Sequence, residues 1–98
     1  MSEPPAGQGV AVPTDVLVQR LPDEELVILN LATEQYFGLD RTAARMWATL
    51  TEAGDVERAY LQLRDRFDVE PEVLRRDFDA FVEQLRGRGL LHLSTDTA

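Results

Sequence analysis

The sequence contains no cysteine, no lysine and a single histidine, His92, among its 98 residues. Without cysteine the chain can form neither a disulfide nor a thiolate zinc site, and it has no cysteine nucleophile. A lone histidine between two leucines more often packs or faces solvent than acts in catalysis. Glycine is scarce, and no glycine-rich loop suited to phosphate is present. We therefore expect a protein that is not an enzyme and that holds no cofactor and no metal.

Long apolar runs are also missing. No segment has the apolar core of a signal peptide, and none is long enough to span a bilayer. We expect a cytoplasmic protein that does not associate with membranes. Paired carboxylates suited to acid–base chemistry are absent as well, because Asp77 and Asp79 stand two residues apart on a predicted helix and so face different directions.

The charge balance is strongly acidic, with 10 basic and 18 acidic residues and a net charge of -8. Every basic residue is an arginine, and residues 1–39 contain six acids but only Arg20 as a base. Such a balance opposes binding to a polyanion such as DNA. Two interpretations remain open: the charge keeps the protein soluble, or it attracts a basic or mixed-charge partner.

The length predicts one domain with one ordinary hydrophobic core, since 44% of the residues are apolar. Residues 1–14 are rich in proline, glycine and small side chains, which predicts a disordered N-terminal arm. Residues 94–98 are small and polar and predict a disordered tail. The folded domain is therefore expected at residues 15–93.

Three short strands are predicted in the first half of the domain, at Val16–Arg20, Glu25–Leu31 and Gln35–Leu39. Turns with proline or acidic residues separate them. The second strand is apolar on both faces and is interrupted by Asn30, which suits the central strand of a three-stranded meander. The third is rich in aromatic residues.

The apolar pattern then changes from a period of 2 to a period of 3.6, which predicts three helices. Asp40 and Asp55 are suited to cap the first two helices, and Pro71 suits the first turn of the third. Gly54 stands where the first helix should end, and Gly89 follows the third. Three strands followed by three helices predict an α+β fold with an antiparallel sheet.

The outer edge of the third strand is the most informative feature for function. The second strand leaves this edge unpaired, and the edge carries neither charge nor proline at Tyr36, Phe37, Gly38 and Leu39. Proteins usually protect such edges. This pattern favours β-augmentation, in which a peptide adds as an extra strand. The alternative is that the third helix or the N-terminal arm covers the edge.

The helical half also invites comparison with a DNA-binding helix-turn-helix. Four arginines lie around the second and third helices, where a DNA-binding protein would place them on phosphates. They are Arg64, Arg66, Arg75 and Arg76. Acidic residues are interleaved with these arginines, as on a solvated face that carries helical charge pairs. These acids are Asp65, Asp68, Glu70, Glu72, Asp77 and Asp79. We therefore expect no nucleic-acid partner.

Two stretches of the chain resemble the PqqD-like family. The first runs Leu29-Asn30-Leu31, then Tyr36-Phe37-Gly38-Leu39-Asp40, Ala43-Ala44 and Met46-Trp47; the second runs Leu63, Phe67, Pro71, Asp77, Leu85 and Gly89-Leu90-Leu91. The resemblance covers about residues 15–93. It implies a winged-helix-like fold and a role as a recognition element for ribosomally made, post-translationally modified peptides.

In that family the leader of the precursor peptide lies as an added strand on the third strand, against the third helix. The resemblance therefore implies a binding edge and a helix wall. The edge consists of Tyr36, Phe37, Gly38 and Leu39, and the wall consists of Leu74, Arg75, Phe78 and Val82.

The branch of the family decides the expected partners. Members from the pyrroloquinoline quinone pathway tend to carry a "YPE"-like segment, and this chain departs from that pattern at residues 24–29. Its Asn…Tyr-Phe-Gly-Leu…Trp pattern looks more like the free-standing elements of lasso-peptide clusters. That branch implies delivery of the leader to a cysteine-protease-like leader peptidase, with a cyclase downstream. A chaperone for a radical-SAM enzyme and a winged-helix DNA-binding regulator remain the alternatives.

Overall fold

The computed structural model describes residues 8–95. Within these residues, five strands, three α-helices and a short 3-10 helix at Pro22–Glu24 are formed. The strands and α-helices are β1 (Gln8–Ala11), β2 (Val16–Arg20), β3 (Leu26–Asn30), β4 (Gln35–Leu39), α1 (Arg41–Ala53), α2 (Val56–Arg66), α3 (Pro71–Gly87) and β5 (His92–Thr95). The predicted α+β fold, in which a three-stranded antiparallel sheet precedes three helices, is confirmed.

The three-stranded sheet has the order β2-β3-β4, so β3 is its central strand as the apolar pattern predicts. Residues of alternate parity point to opposite faces of a strand. In β3 the side chains of Ile28 and Asn30 are buried on the helix side, whereas Val27 and Leu29 on the other face are half-buried. Because both faces of β3 carry apolar side chains, its sequence does not alternate between apolar and polar residues.

The helix ends lie where the sequence predicts them. The Asp40 carboxylate accepts a hydrogen bond from the Ala43 N–H at 2.8 Å, and the Asp55 carboxylate accepts one from the Arg58 N–H at 3.0 Å. Gly54 closes α1 in the left-handed conformation with a φ of 72°, a region that glycine occupies without steric cost. These local signals separate α1 from α2 by a tight link.

The core lies between the sheet and the helices. Phe78, Leu50, Leu63, Leu85 and Ile28 are fully buried in it. α1 and α3 each supply five buried residues. Those of α3 are Leu74, Phe78, Phe81, Val82 and Leu85.

The structure differs from the sequence expectation at both ends of the domain. Gln8–Ala11, within the arm that we expected to be disordered, forms β1 and pairs antiparallel with β5. Ser94 and Thr95, which we expected in a disordered tail, belong to β5. The Val10 N–H also donates to the Gly54 carbonyl at 3.1 Å, which ties β1 to the end of α1. The remainder of that arm, residues 1–7, and residues 96–98 of the predicted tail lie outside the described residues.

Candidate functional site

Two backbone hydrogen bonds establish which residues of β3 face β2. The Leu31 N–H donates to the Asp15 carbonyl at 2.8 Å, and the Leu21 N–H donates to the Glu25 carbonyl at 2.9 Å. These bonds lie just beyond the two ends of the β2–β3 pairing and continue its register. In an antiparallel pair the bonded residues alternate along each strand. The odd-numbered residues of β3 therefore direct their N–H and C=O groups toward β2.

The even-numbered residues of β3 consequently direct their groups toward β4. Ile28 pairs with Phe37, so the polar backbone groups of Phe37 point inward, to the sheet. Tyr36 and Gly38 have the opposite parity. Their N–H and C=O groups point outward, along the free edge of β4.

That edge is open in the part of the chain that the structure describes. No strand among residues 8–95 pairs with the outer side of β4, because β1 pairs with β5 instead. Tyr36 is 70% exposed, and nothing lies within 4 Å of the position that a Cβ atom on Gly38 would occupy. The described part of the N-terminal arm thus does not cover the edge.

The inner side of β4 faces the core and the end of α3. Leu39 is buried and Phe37 is half-buried on this side. The guanidinium of Arg88, the residue that follows α3, lies over the Phe37 ring, 4.9 Å from its centroid. An exposed cation over an aromatic face contributes about 0.5–1 kcal/mol. The contact places the C-terminal end of α3 beside the open strand.

Asn30 holds this end of α3 against the sheet. Its buried side-chain amide donates to the Gly89 carbonyl at 2.8 Å, and its Oδ1 accepts the N–H groups of Ala32 and Thr33 at 2.9 and 3.2 Å. A buried polar side chain is stable only when it is hydrogen-bonded. The polar residue Asn30 therefore has a structural role in the otherwise apolar strand: its side chain joins the β3–β4 turn to the end of α3.

Two flanks of α3 face different neighbours. Asp77, Phe81, Gln84 and Arg88 recur at helical spacing and share one flank. Arg88, at the C-terminal end of this flank, contacts Phe37 of β4. Asp77 and Gln84 are exposed on it, and Phe81 is buried.

Arg75 belongs to the other flank. Its guanidinium forms ion pairs with Glu57 of α2 and with Asp79, 3.2 Å away, and it lies 4.8 Å from the centroid of the Tyr60 ring. The hydrogen bond to Glu57 is the main cause that raises the pKa of Arg75 above its ordinary value, and Asp79 adds to the effect. These partners of Arg75 lie on α2 and α3, and none of them belongs to β4.

The other residues of the predicted helix wall occupy the core. Leu74, Phe78 and Val82 are 2%, 0% and 4% exposed. Their apolar stripe indicated a buried face, but it could not separate the residues that fill the core from those that line a surface. Arg88 was missed, because its contact with Phe37 depends on where α3 ends relative to a strand far away in sequence.

The edge presents backbone N–H and C=O groups beside uncharged side chains. Among residues 8–95, no cluster of three or more acidic or histidine side chains is placed to hold a metal ion. Within the same range, no helix has the length and apolar character that crossing a membrane requires. The exposed ion pair between Arg86 and Glu83 lowers the pKa of Glu83 through its hydrogen bond, and it lies on the surface of α3.

The fold and this edge define a class of small α+β domains in which the last strand of a three-stranded sheet is open to another chain. The family model described as Coenzyme PQQ synthesis protein D (PqqD) matches residues 25–91. The chain belongs to this family. No curated protein matches it in sequence.

Two solved structures are similar to the chain. TbiB1 in complex with the TbiA(beta) leader peptide is 30% identical, with a TM-score of 0.74 over 83% of this chain and 93% of that one. A lasso peptide synthetase B1 complexed with the leader peptide is 21% identical, also with a TM-score of 0.74, over 86% of this chain and 98% of that one. The second similarity concerns the fold alone.

Proposed function

We propose that this protein binds the leader region of a ribosomally made precursor peptide as a fourth strand on the outer edge of β4, and that it presents the peptide to modifying enzymes. The observation that carries the proposal is the uncharged, open edge at which Tyr36 and Gly38 direct their backbone groups outward. The similarity to TbiB1, which is in complex with a leader peptide, supports it.

Backbone pairing supplies part of the affinity. Tyr36 and Gly38 each offer one N–H and one C=O, and each hydrogen bond contributes about 1 kcal/mol net. Apolar anchors of the peptide add roughly 1.5–3 kcal/mol each when they are buried. Ordering a flexible leader removes about 2–5 kcal/mol. Two buried anchors and the backbone bonds therefore outweigh the cost of ordering the leader, and further contacts must offset the translational and rotational freedom lost on association.

The residues of the site have different roles in this proposal. Tyr36 and Gly38 pair with the peptide, and the Phe37 ring supports the peptide side chain opposite it. Leu39, buried at the end of β4, holds that strand against the core. Leu74, Phe78 and Val82 act from beneath, because their packing fixes α3 beside β4. Arg75 stabilises the contact between α2 and α3.

The second part of the proposed function is tethering. A leader held on β4 keeps the rest of the precursor at a high effective concentration near a partner enzyme. We propose a cysteine-protease-like leader peptidase as that partner, with a cyclase downstream, in the cytoplasm where a ribosomal precursor is made. The Asn…Tyr-Phe-Gly-Leu…Trp pattern, which resembles lasso-cluster elements, supports this choice. The domain itself has no catalytic role in the proposal.

The PqqD match favours one second candidate, a peptide chaperone for a radical-SAM enzyme. Both candidates use the same edge and differ only in the enzyme that receives the peptide. Gene neighbours distinguish them. A protease-like gene and an asparagine-synthetase-like gene beside a short precursor gene support the first, and a radical-SAM gene in their place supports the second.

The binding mode is tested with a peptide selected on the protein itself. A phage-displayed library of random dodecapeptides is panned on the full chain, and amide hydrogen exchange is then followed by NMR with and without the selected peptide. We expect the amides of Tyr36 and Gly38 to gain protection. The Val18 amide should not, although it points outward from the opposite edge, on β2. Protection at Val18 instead, or failure to enrich any peptide over an unrelated bait, would overturn the proposal.

A further inference from the structure

Arg88 is a basic residue that contacts the open strand. Its side chain is exposed and stacks on the half-buried Phe37 ring. The backbone around it is fixed, because Gly89 turns the chain with a φ of 72° and the Leu90 N–H donates to the Leu85 carbonyl at 3.0 Å. Asn30 also holds the Gly89 carbonyl. The guanidinium is therefore presented from a rigid support.

The pairing geometry places one peptide side chain next to this guanidinium. In an antiparallel pair, residues directly opposite each other have their side chains on the same face of the sheet, with Cβ atoms about 4.5–5.5 Å apart. A peptide residue paired with Phe37 therefore points to the inner side, toward the ring and the Arg88 guanidinium. Peptide residues paired with Tyr36 and Gly38 point to the opposite face.

The charges around Arg88 leave it available to such a side chain. Arg86, two residues earlier, already donates to Glu83 at 2.7 and 3.1 Å, and Arg75 is held by Glu57. None of the ion pairs within residues 8–95 includes Arg88. A carboxylate is the natural partner of a guanidinium, which offers a planar, two-pronged set of donors.

We propose that Arg88 is a specificity-determining residue that selects an aspartate or glutamate at the peptide position paired with Phe37. This inference rests on the proposed function and deepens it. It predicts that an acidic protein prefers a peptide with one negative charge at a defined position, opposite to the preference for basic peptides that the net charge of -8 alone would predict.

The test repeats the dodecapeptide selection on four baits: the parent chain, Arg88→Gln, Arg88→Glu and Arg86→Gln. The last is the matched control, an exposed arginine in the same turn that is already paired. With the parent and Arg86→Gln we expect one peptide position enriched in Asp or Glu. We expect that enrichment to vanish with Arg88→Gln and to change to Arg or Lys with Arg88→Glu.

Affinities make the same test quantitative. Replacing the selected acidic residue by its amide should weaken binding to the parent about threefold to tenfold, as for a partly exposed charge-assisted bond, and should leave binding to Arg88→Gln unchanged. Equal losses with both proteins would overturn the role of Arg88. Peptides that bind through Tyr36 and Gly38 but carry no acidic preference would overturn this inference alone. The absence of any selected peptide would overturn the proposed function as well.

Discussion

The side-chain amide of Asn30 donates to the backbone carbonyl of Gly89 at 2.8 Å, across 59 residues of sequence. Gly89 adopts a φ of 72°, and a Cβ atom added there would lie 3.0 Å from the Asn30 Nδ2 atom. The left-handed backbone favours glycine, and an added Cβ atom would force the Asn30 amide to shift. This contact determines where α3 ends relative to β4, and with it the position of Arg88.

Substitution of Gly89 tests that relationship. Gly89→Ala should lower the free energy of unfolding by more than Gly54→Ala does. Both positions have a φ of 72°, which costs alanine about 1–2 kcal/mol, but only Gly89 has a neighbour within 4 Å. Chemical denaturation of the two variants measures the difference.

A double-mutant cycle identifies the source of that difference. In an Asn30→Ala background the crowded amide is absent, so Gly89→Ala should cost no more than Gly54→Ala. If the excess cost persists in that background, the Asn30 contact is not its cause.

Substitutions of Phe78 and Arg75 distinguish the contribution of core packing to stability from that of the surface ion pairs on α3. Phe78→Ala should lower the free energy of unfolding by about 3–5 kcal/mol, because the ring is fully buried. Arg75→Ala should lower it by about 1 kcal/mol or less, since solvent screens ion pairs at this exposure. Chemical denaturation measures both.

Arg75→Ala should also leave the affinity for the selected peptide unchanged, since the contacts of Arg75 lie with α2 and not with β4. Fluorescence anisotropy with a labelled peptide provides the measurement. A clear loss of affinity with an unchanged fold would return Arg75 to the binding wall that the resemblance implied.

The protein should show negligible DNA affinity at physiological salt. Its net charge is -8, and two of the acids near the helical arginines, Glu57 and Asp79, already hold Arg75. Neutralising phosphates requires unpaired basic groups on one surface. A salt-dependent gel shift with a preference for particular bases at sub-micromolar protein would contradict this and support a winged-helix regulator.

The features that the sequence predicted well are those that depend on neighbouring residues. The caps at Asp40 and Asp55, the stop at Gly54 and the order of three strands and three helices all follow from local patterns. The uncharged character of the third strand also follows from its composition, whereas an open edge was one of two alternatives. In each case the physical cause lies within one turn or one strand of the residue concerned.

The features that the sequence left open depend on distant pairings. Which backbone groups of β4 face outward follows from the bond between Leu31 and Asp15, which lie just beyond the ends of β3 and β2. The pairing of β1 with β5 joins the two ends of the domain, and Gly9 and Ala11 give no apolar alternation that would indicate it. The position of Arg88 over Phe37 depends on the link between Asn30 and Gly89.

Proline substitutions along β4 measure the added-strand mechanism most directly, because proline removes one backbone N–H. Tyr36→Pro and Gly38→Pro remove outward donors only, and Phe37→Pro breaks the ladder to β3. Val18→Pro removes an outward donor on the opposite edge of the sheet and is the matched control. Tyr36→Ala controls for the loss of the Tyr36 ring. Melting is recorded beside peptide affinity for each variant, because the fixed φ of proline adds some strain at every position.

We expect Tyr36→Pro and Gly38→Pro to remain folded and to lose most of their peptide affinity. Phe37→Pro should be strongly destabilised. Val18→Pro and Tyr36→Ala should keep more affinity than Tyr36→Pro. Folded Tyr36→Pro and Gly38→Pro variants that bind the peptide as tightly as the parent would contradict strand addition at β4.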